Sequence, residues 1–293
     1  MSRQTSRGKA TVVQMCEAFG VSTQAYYRSK RRPAQAKGGS HSRWRQGPWA
    51  SASELEAGIQ RVVDGHPGWG VRKVWAYLRR EGLIASRKRI WAIMRAKGWV
   101  LPPVREREQT ARRAQVVVAD SNRRWATDLT TAWTRQDGLA AVVPVVDCRD
   151  RYGLACEVSK SQEAPVVLFA VEKAMRAEFG TPKGVPWGLE LRTDHGPQYT
   201  GSDCEAFCHC WGIEHTLAPV GRPTGNAVVE RFIQTLKVEL IWTRDWESIA
   251  ELREATNVWL KQYNHLRPHQ ALNWETPAER RAKNLSPPVE LAA

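Results

Sequence analysis

Three acidic residues stand in segments that a strand or a helix would present, rather than in loops. Asp128 lies within the predicted strand WATDLT, Asp194 ends the predicted strand in LRTDHG, and Glu230 lies in the predicted helix NAVVERFIQTLK. Their neighbours are apolar or small, so each carboxylate is desolvated and repels the others unless a cation compensates. Three converging carboxylates therefore suggest a divalent metal site, and oxygen ligands favour Mg²⁺ or Mn²⁺ over zinc.

The helix around Glu230 presents further groups beside that carboxylate. At about 100° per residue, one face collects the apolar residues Val229, Phe232, Ile233, Leu236 and Leu240. Glu230, Gln234 and Lys237 share the opposite face. A phosphate bound near Glu230 would meet Lys237 two turns along, so Lys237 and Gln234 are predicted DNA contacts. The alternative is a surface helix with an ordinary charged stripe.

Basic residues are concentrated in the first part of the chain. Of 44 Lys and Arg and 30 Asp and Glu, residues 1–120 hold 24 and 8, a net charge of +16, whereas the remainder is −2. This asymmetry predicts that the first part binds a polyanion while the second needs carboxylates. No apolar run approaches the ~20 residues that span a bilayer, and no secretory signal begins the chain. We therefore expect a cytoplasmic protein with no membrane partner, whose six cysteines are reduced thiols.

Five regions are predicted along the chain. A short helix-turn-helix and a basic Pro/Gly/Ser-rich linker occupy residues 1–48, and a second helix-turn-helix DNA-binding domain occupies 49–100. A linker with two prolines follows at 101–120, then an α/β domain at 121–283 and a disordered tail at 284–293.

The last helix of the second helix-turn-helix is the predicted DNA-reading helix. Ser86 caps it, and it carries the basic residues Arg87, Lys88, Arg89 and Arg95. The second helix of such a pair commonly enters the major groove, where Arg and Lys contact phosphates and guanine edges. Arg72 and Lys73 of the preceding helix are predicted to contact DNA as well. The alternative is a bundle helix with a solvated basic face.

The region from residue 121 alternates strand and helix patterns. Strands are predicted at 124–133, 139–146, 152–158, 187–192 and 213–217, and helices at 164–179, 202–211, 226–242 and 248–263. Three early strands followed by alternating elements predict a mixed five-stranded sheet flanked by helices. Pro144 within the second strand predicts an edge position or a bulge.

The spacing of the three carboxylates carries a family resemblance. Thirty-five residues separate Asp194 from Glu230, which, with Asp128 ahead of them, resembles the D,D(35)E domain of retroviral integrases and insertion-sequence transposases. Its segments are TDHGPQYT, GRPTGNAVVERFIQTLK and YNHLRPHQALNWETPAE, preceded by MCEAFGVSTQAYYR and HPGWGVRKVWAYLRREGL. Nearly the whole chain is thus similar to the second open-reading-frame product (OrfB) of insertion sequence family three. This resemblance implies a ribonuclease-H-like catalytic fold.

The resemblance also implies an activity. Asp128 would bridge two Mg²⁺ or Mn²⁺ ions, while Asp194 and Glu230 would each complete one site. Two such ions activate an attacking oxygen and stabilise a leaving 3′-oxygen, so water cleaves a strand and a DNA 3′-hydroxyl performs strand transfer. The expected protein is a bacterial, nucleoid-associated transposase that binds terminal inverted repeats and target DNA. Further expected partners are copies of itself, in a dimer or higher synaptic complex, and an upstream-frame product, OrfA, as partner or fusion.

Several alternatives remain open. Asp147 ends a predicted strand and is a competing metal ligand, although capping a turn would explain it. His195 and Asn226 are predicted to support the metal ligands without binding the metal themselves. Zinc at Cys204, Cys208 and their neighbours is disfavoured because no Cys-x-x-Cys pair occurs there. A nuclease or resolvase that does not join strands, and a non-catalytic DNA-binding protein, are the competing functions.

Overall fold

The computed structural model describes residues 49–101, 118–219 and 226–285, together with Val12 and Ala18, which are helical. The chain divides into two compact units, residues 1–48 and 49–293. Most of the predicted first helix-turn-helix, most of the two predicted linkers and the last eight residues lie outside the described residues. The predicted domain boundaries therefore stay predictions. In the described ranges no helix is long and apolar enough to cross a membrane.

Three helices form the part of the second unit that precedes the sheet: α1 (Ala52–Gly65), α2 (Val71–Arg80) and α3 (Arg87–Ala96). Ser51 and Glu54 close a reciprocal capping box at the start of α1, and Ser86 caps α3 as predicted. The apolar faces of the three helices meet in one core, formed by Leu55, Ile59, Val62, Trp69, Val74, Leu78, Ile90 and Met94. The sequence analysis predicted α2 and α3 but not α1.

The sheet contains β1 (Arg124–Thr127), β2 (Thr130–Thr134), β3 (Gly138–Asp147), β4 (Gly153–Ser159), β5 (Glu190–Thr193) and β6 (Glu214–Leu217). Strand β3 is central, with β4 antiparallel along one side and β1 and β2 antiparallel along the other. Parallel pairing then continues from β1 to β5 and from β5 to β6. The mixed sheet is therefore confirmed, with six strands rather than the predicted five.

The extra strand arises because the predicted strand at 124–133 is interrupted in its middle. Thr127 pairs with Val145 and Thr130 pairs with Val142, so the register along β3 continues across the gap and sets Asp128 opposite Pro144. Proline has no N–H to donate to a ladder. The prediction that Pro144 marks an edge strand was wrong, since β3 has partners on both sides, but the β3–β4 register does shift one residue later, between Val145 and Val146.

Helices cover both faces of this sheet: α4 (Ala164–Phe179), α5 (Pro197–Thr200) and α6 (Ser202–Trp211) on one side, and α7 (Ala227–Glu239) and α8 (Ile249–His265) on the other. The side chains of β3 alternate between the two cores. Val142 and Val146 pack with Phe232, whereas Val143 and Val145 pack with Val171. This period of two fixes which face of each strand is buried against which helices.

The last turns of α8 are bonded to the start of β4. Asn264 Oδ1 accepts the Gly153 N–H at 2.9 Å, and its Nδ2 donates to the Gly153 carbonyl at 2.8 Å. A Cβ on Gly153 would lie 2.4 Å from Leu260 Cδ1 and 3.1 Å from the Phe232 ring, so a larger residue here would require those side chains to move. The last helix, α9 (Pro277–Leu285), runs two residues into the predicted tail. Within the motif YNHLRPHQ, Tyr263 and Asn264 therefore have structural roles.

Candidate active site and nucleic-acid interface

The parallel pairing of β1 with β5 brings two of the predicted ligands together. Trp125 pairs with Leu191 and Ala126 with Arg192. The same offset, carried two residues further, sets Asp128 beside Asp194 just beyond the two strand ends. Adjacent strands lie about 4.8 Å apart and matching positions face the same way, so the two carboxylates lie next to each other.

Each of these carboxylates is oriented by a backbone N–H of its own turn. Asp128 Oδ1 accepts the Leu129 N–H at 2.8 Å, and Asp194 Oδ1 accepts the Gly196 N–H at 2.9 Å. In both cases one carboxylate oxygen is held while the other is left to a further donor or cation.

Glu230 is brought to the same place by an anchor at the start of α7. Asn226 Nδ2 donates at 3.3 Å to the carbonyl of Thr127, the residue before Asp128. The Glu230 N–H bonds the Asn226 carbonyl at 3.1 Å, so Glu230 lies one helical turn from that anchor. Val229 is buried in the core while Glu230 is exposed, as the helical periodicity predicted.

The pKa of Asp128 reflects the proximity of the other two carboxylates. Burial, followed by the neighbouring Asp194 and then Glu230, raises the pKa of Asp128 to about 6 from an ordinary value of 3.8. The Leu129 N–H and the Lys237 ammonium act in the opposite direction. Asp128 is therefore held in a field of like charge that a bound cation would neutralise.

The donor set fits a hard divalent cation. Its members are carboxylate oxygens, which Mg²⁺ and Mn²⁺ prefer. Asn226 Oδ1 nearby is a buried acceptor without a hydrogen-bond partner among the described residues. A cation would neutralise the carboxylates, and its bound water would donate a hydrogen bond to Asn226 Oδ1. The three side chains do not yet surround one point: the described part of the chain contains no group of three or more His, Cys, Asp or Glu close enough to hold one ion.

Lys237 and Gln234 lie where the helical periodicity predicted, on the solvent side of α7. Gln234 is exposed and accepts a hydrogen bond from Arg231 at 2.8 Å. Lys237 is close enough to Asp128 to lower the pKa of that carboxyl. The contact of either residue with DNA stays a prediction.

His195 and Tyr199, which follow Asp194 in the chain, differ in their burial. His195 is exposed, so its ring faces solvent rather than the core. Tyr199 in α5 is fully buried, and its hydroxyl lies 3.5 Å from Thr127 Oγ1, below the end of β1. The sequence analysis missed Tyr199, although the segment TDHGPQYT contains it. Burial, together with the charges of Asp128 and Asp194, raises the pKa of its hydroxyl, so Tyr199 lies near both carboxylates.

Asp147, the competing ligand, is directed away from this site. It pairs with Trp125 at the start of β1, whereas Asp128 follows the end of that strand. Asp147 Oδ1 accepts the N–H groups of Arg149 and Asp150, at 2.8 and 3.2 Å. The turn-capping interpretation of Asp147 is therefore confirmed.

The predicted DNA-reading helix α3 presents its basic residues unequally. Lys88 is exposed, and the Arg95 guanidinium lies 5.1 Å from the ring centroid of the exposed Trp91. The Arg87 guanidinium lies 5.4 Å from the Trp75 ring. Arg89 instead donates to the Ala50 carbonyl at 2.8 Å, so one of its donors is used inside the helical domain.

Both predicted DNA contacts on helix α2 have partners in the sheet domain, although Arg72 remains exposed to solvent. Lys73 Nζ lies 2.5 Å from Glu239 Oε1, and Arg72 Nη1 lies 3.4 Å from Gln270 Oε1. Burial opposes the charge of Glu239, but Arg267 and Lys73 hold its pKa below the ordinary value. The Lys73 ammonium is thus already paired with Glu239. Nothing in the sequence around Lys73 indicates this partner.

The cysteines that invited a zinc interpretation are core residues. Cys204 and Cys208 are buried with Leu191 and Trp211 on one side of the sheet, whereas Cys210 is exposed. Among the described residues, these cysteines form no group of three or more metal-binding side chains that could hold an ion.

Family models match three parts of the chain. Residues 119–223 and 211–277 match models described as "Integrase core domain", and residues 50–107 match one described as "HTH-like domain". Among solved structures, a simian T-cell lymphotropic virus intasome is similar with 19% identity and a TM-score of 0.49, covering 80% of this chain and 78% of that one.

Curated relatives are similar over most of their length. A transposase for insertion sequence element IS629 from Shigella sonnei is 31% identical over 238 residues, which is 77% of this chain and 78% of that protein. Transposase InsD of insertion element IS2 from Escherichia coli is 29% identical over 239 residues, covering 75% and 76%. A 31.7 kDa protein of insertion element IS407 from Burkholderia multivorans is 28% identical, covering 78% and 81%.

Proposed function

The chain belongs to the insertion-sequence transposases with an integrase core domain, and we propose that it cleaves DNA at the ends of its element and joins the 3′ ends to target DNA. The observation that carries this proposal is the register of β1 and β5, which sets Asp128 beside Asp194. The anchor from Asn226 to Thr127 adds Glu230 to the pair. These three residues are the proposed D,D(35)E triad.

Asp128, Asp194 and Glu230 would hold two divalent cations, Mg²⁺ or Mn²⁺, with Asp128 shared between them. When bound, the cations would supply Lewis-acid activation of the attacking and leaving oxygens at phosphorus. Lys237, on the same side of α7 as Glu230, would hold a neighbouring backbone phosphate by charge. Asn226 and His195 support the site, Asn226 by fixing the first turn of α7 against β1.

The helical domain is the proposed reader of the terminal inverted repeats. Its exposed basic residues on α3 are Arg87, Lys88 and Arg95, and these suit contacts to phosphates and base edges in a major groove. Arg89 would contribute its remaining donors. Lys73 would reach DNA only if its ion pair with Glu239 opened, whereas the exposed Arg72 would contribute its remaining donors.

Two DNA segments, an element end and a target, have to meet in one complex, so we include self-association into a dimer or higher synaptic complex in the proposal. The upstream-frame OrfA product is proposed as a further partner, or as a fusion, that would supply additional contacts. A cytoplasmic, nucleoid-associated location follows from a bacterial DNA substrate.

The test uses labelled duplex DNA that ends in the element's own terminal repeat, incubated with wild-type protein and Mg²⁺ or Mn²⁺. Asp128→Asn, Asp194→Asn and Glu230→Gln are compared with Glu205→Gln, an exposed glutamate of α6 that serves as a matched control. Nicked and joined products are both measured. We expect each triad variant to lose on the order of 10³-fold or more in rate, because metal-assisted catalysis depends on every ligand, and the control to keep its rate.

The two competing functions predict other outcomes. Nicking without joining, lost in the same three variants, would favour a nuclease or resolvase. DNA binding with no cut strand, with and without added OrfA product, would favour a non-catalytic DNA-binding protein.

A separate experiment tests the helical domain as the DNA reader. Lys88→Ala with Arg95→Ala should weaken binding to the terminal repeat and reduce its dependence on salt, since each lost phosphate contact lowers the slope of log K against log salt by about 0.9. Lys160→Ala, an exposed lysine of the sheet domain, is the control. Binding that is insensitive to salt would contradict this role.

A further inference from the structure

An exposed tryptophan follows the helix that carries Glu230. The chain leaves α7 at Glu239 and enters a single 3-10 turn, Ile241–Thr243. Ile241 is buried in the core under the sheet, whereas Trp242 is 67% exposed. The turn therefore directs a large aromatic ring outward, although burying a ring of this size against a partner is strongly favourable.

The ring of Trp242 is linked to the proposed site through one residue. The Lys237 ammonium lies 5.9 Å from the Trp242 ring centroid, within the range of a cation–π contact. Lys237 lies on the same side of α7 as Glu230, and its charge reaches Asp128. Moving away from the carboxylates, the surface thus presents first a cation and then a flat aromatic face.

This order of groups matches the order of groups along a DNA strand. A cation suits a backbone phosphate, and the aromatic face next to it suits the base attached to that phosphate, which stacks whatever its identity. A protein partner is less well matched, because Lys237 would then be covered by an apolar surface and lose its hydration.

We propose that Trp242 is a stacking platform for a nucleobase at the DNA end, beside the phosphate held by Lys237. The inference rests on the proposed function, since it places a DNA end at the carboxylates. Beyond that function, the inference assigns a binding position to an unpaired or frayed base. The metal site alone requires no such position. The contact is sequence-tolerant, because every base offers a π face.

The experiment measures binding separately from cleavage. Glu230→Gln protein is mixed with a terminal-repeat duplex in which 2-aminopurine replaces one base at a time near the 3′ end, and both affinity and 2-aminopurine fluorescence are recorded. Adding Trp242→Ala should weaken end binding about tenfold and restore fluorescence at one position. Trp242→Phe should retain most of the affinity, since it keeps a stacking face.

Trp187→Ala is the matched control. Trp187 is 90% exposed but precedes β5, at the end of that strand opposite Asp194, so its loss should change neither signal. Equal affinity and equal fluorescence in Trp242→Ala and its parent would overturn the stacking proposal while the proposed function stands. A change in self-association with unaltered DNA binding would assign the ring to a protein contact and overturn it too. A parent protein that does not bind the duplex would instead remove the proposed function, and stacking with it.

Discussion

Two groups of carboxylates lie at opposite ends of β1, and the protein treats them in opposite ways. The closed cluster consists of Asp147, Asp150 and the Arg281 side chain from α9, all nearly or fully buried. The open cluster consists of Asp128, Asp194 and Glu230, at the other end of the strand. Both lie beside the same sheet, so the difference between them is one of partners rather than of residue type.

In the closed cluster, donors from the protein reach both carboxylates. Arg281 Nη1 lies 3.2 Å from Asp147 Oδ2 and 3.1 Å from Asp150 Oδ2, and its Nη2 donates to Asn122 Oδ1 at 2.8 Å. Asp147 also accepts the Asn122 N–H at 2.7 Å. Burial and the neighbouring Asp150 raise the pKa of Asp147, whereas the Asn122 N–H and then Arg281 act in the opposite direction.

In the open cluster, each aspartate receives one backbone N–H, and Lys237 is the nearby cation that acts on Asp128. The carboxylates are left to repel one another. One acidic cluster is thus completed by protein donors and fastens α9, whereas the other is left incomplete, at a cost in stability, at the place where we propose that a cation binds.

The largest expected effect is on the closed cluster. Arg281→Met should lower the free energy of unfolding by about 3–5 kcal/mol, because it leaves two buried carboxylates without their cation. Urea unfolding of the metal-free protein measures this. Lys160→Met, at an exposed lysine, should change stability little. A loss for Arg281→Met no larger than that of this control would show that the closed cluster does not fasten α9.

An opposite and smaller effect is expected for the open cluster. The pKa of Asp128 is about 6 in the folded protein, above its ordinary value of 3.8. The folded state therefore keeps a proton that the unfolded state has lost between these values, and wild-type stability falls as the pH rises from about 4 to 6. Asp128→Asn removes this penalty and should stabilise the metal-free protein by about 1–3 kcal/mol at neutral pH.

Unfolding in EDTA at pH 4.5 and at pH 7.5 measures this prediction. The advantage of Asp128→Asn should grow between the two pH values. Asp203→Asn, at an exposed aspartate of α6, should show no such growth. An advantage that is equal at both pH values would mean that Asp128 is not desolvated and repelled as described.

The smallest expected effect comes from adding the cation itself. Mn²⁺ at ten times its dissociation constant should stabilise the wild-type protein by about 1.4 kcal/mol, since it binds only the folded state. Asp194→Asn should lose this gain, whereas Asp150→Asn in the closed cluster should keep it. Thermal unfolding with and without Mn²⁺ provides the measurement. A gain that survives in Asp194→Asn would place the cation elsewhere.

Much of the local structure followed from the sequence. The apolar period around Glu230 predicted the buried face of α7, with Val229 and Phe232 inward and Glu230 and Gln234 outward, and the structure agrees. The same period overran the end of that helix, because Ile241 is also buried although it lies in a separate turn. Helix α1 was missed, although Ser51 and Glu54 have the spacing of a capping box.

Interruptions that depend on a neighbouring strand could not be seen locally. The sequence at 124–133 is that of one strand, and the break at Asp128 lies opposite Pro144, on a strand that only the tertiary pairing identifies as its neighbour. The partners of Lys73 were hidden for the same reason, because Glu239 is 166 residues away in the chain.

The sequence by itself determined the residue types, their helical and strand faces and the spacing that marks Asp128, Asp194 and Glu230, because these depend on periodicities within a few residues. Only the tertiary structure decided which aspartate stands next to Asp194. Asp128 and Asp147 both adjoin the ends of buried strands. The register of β1 with β5 sets Asp128 beside Asp194, whereas the register of β1 with β3 sets Asp147 at the other end of β1, where it meets Arg281. Register is a property of pairs of strands distant in the chain, so no single segment contains it.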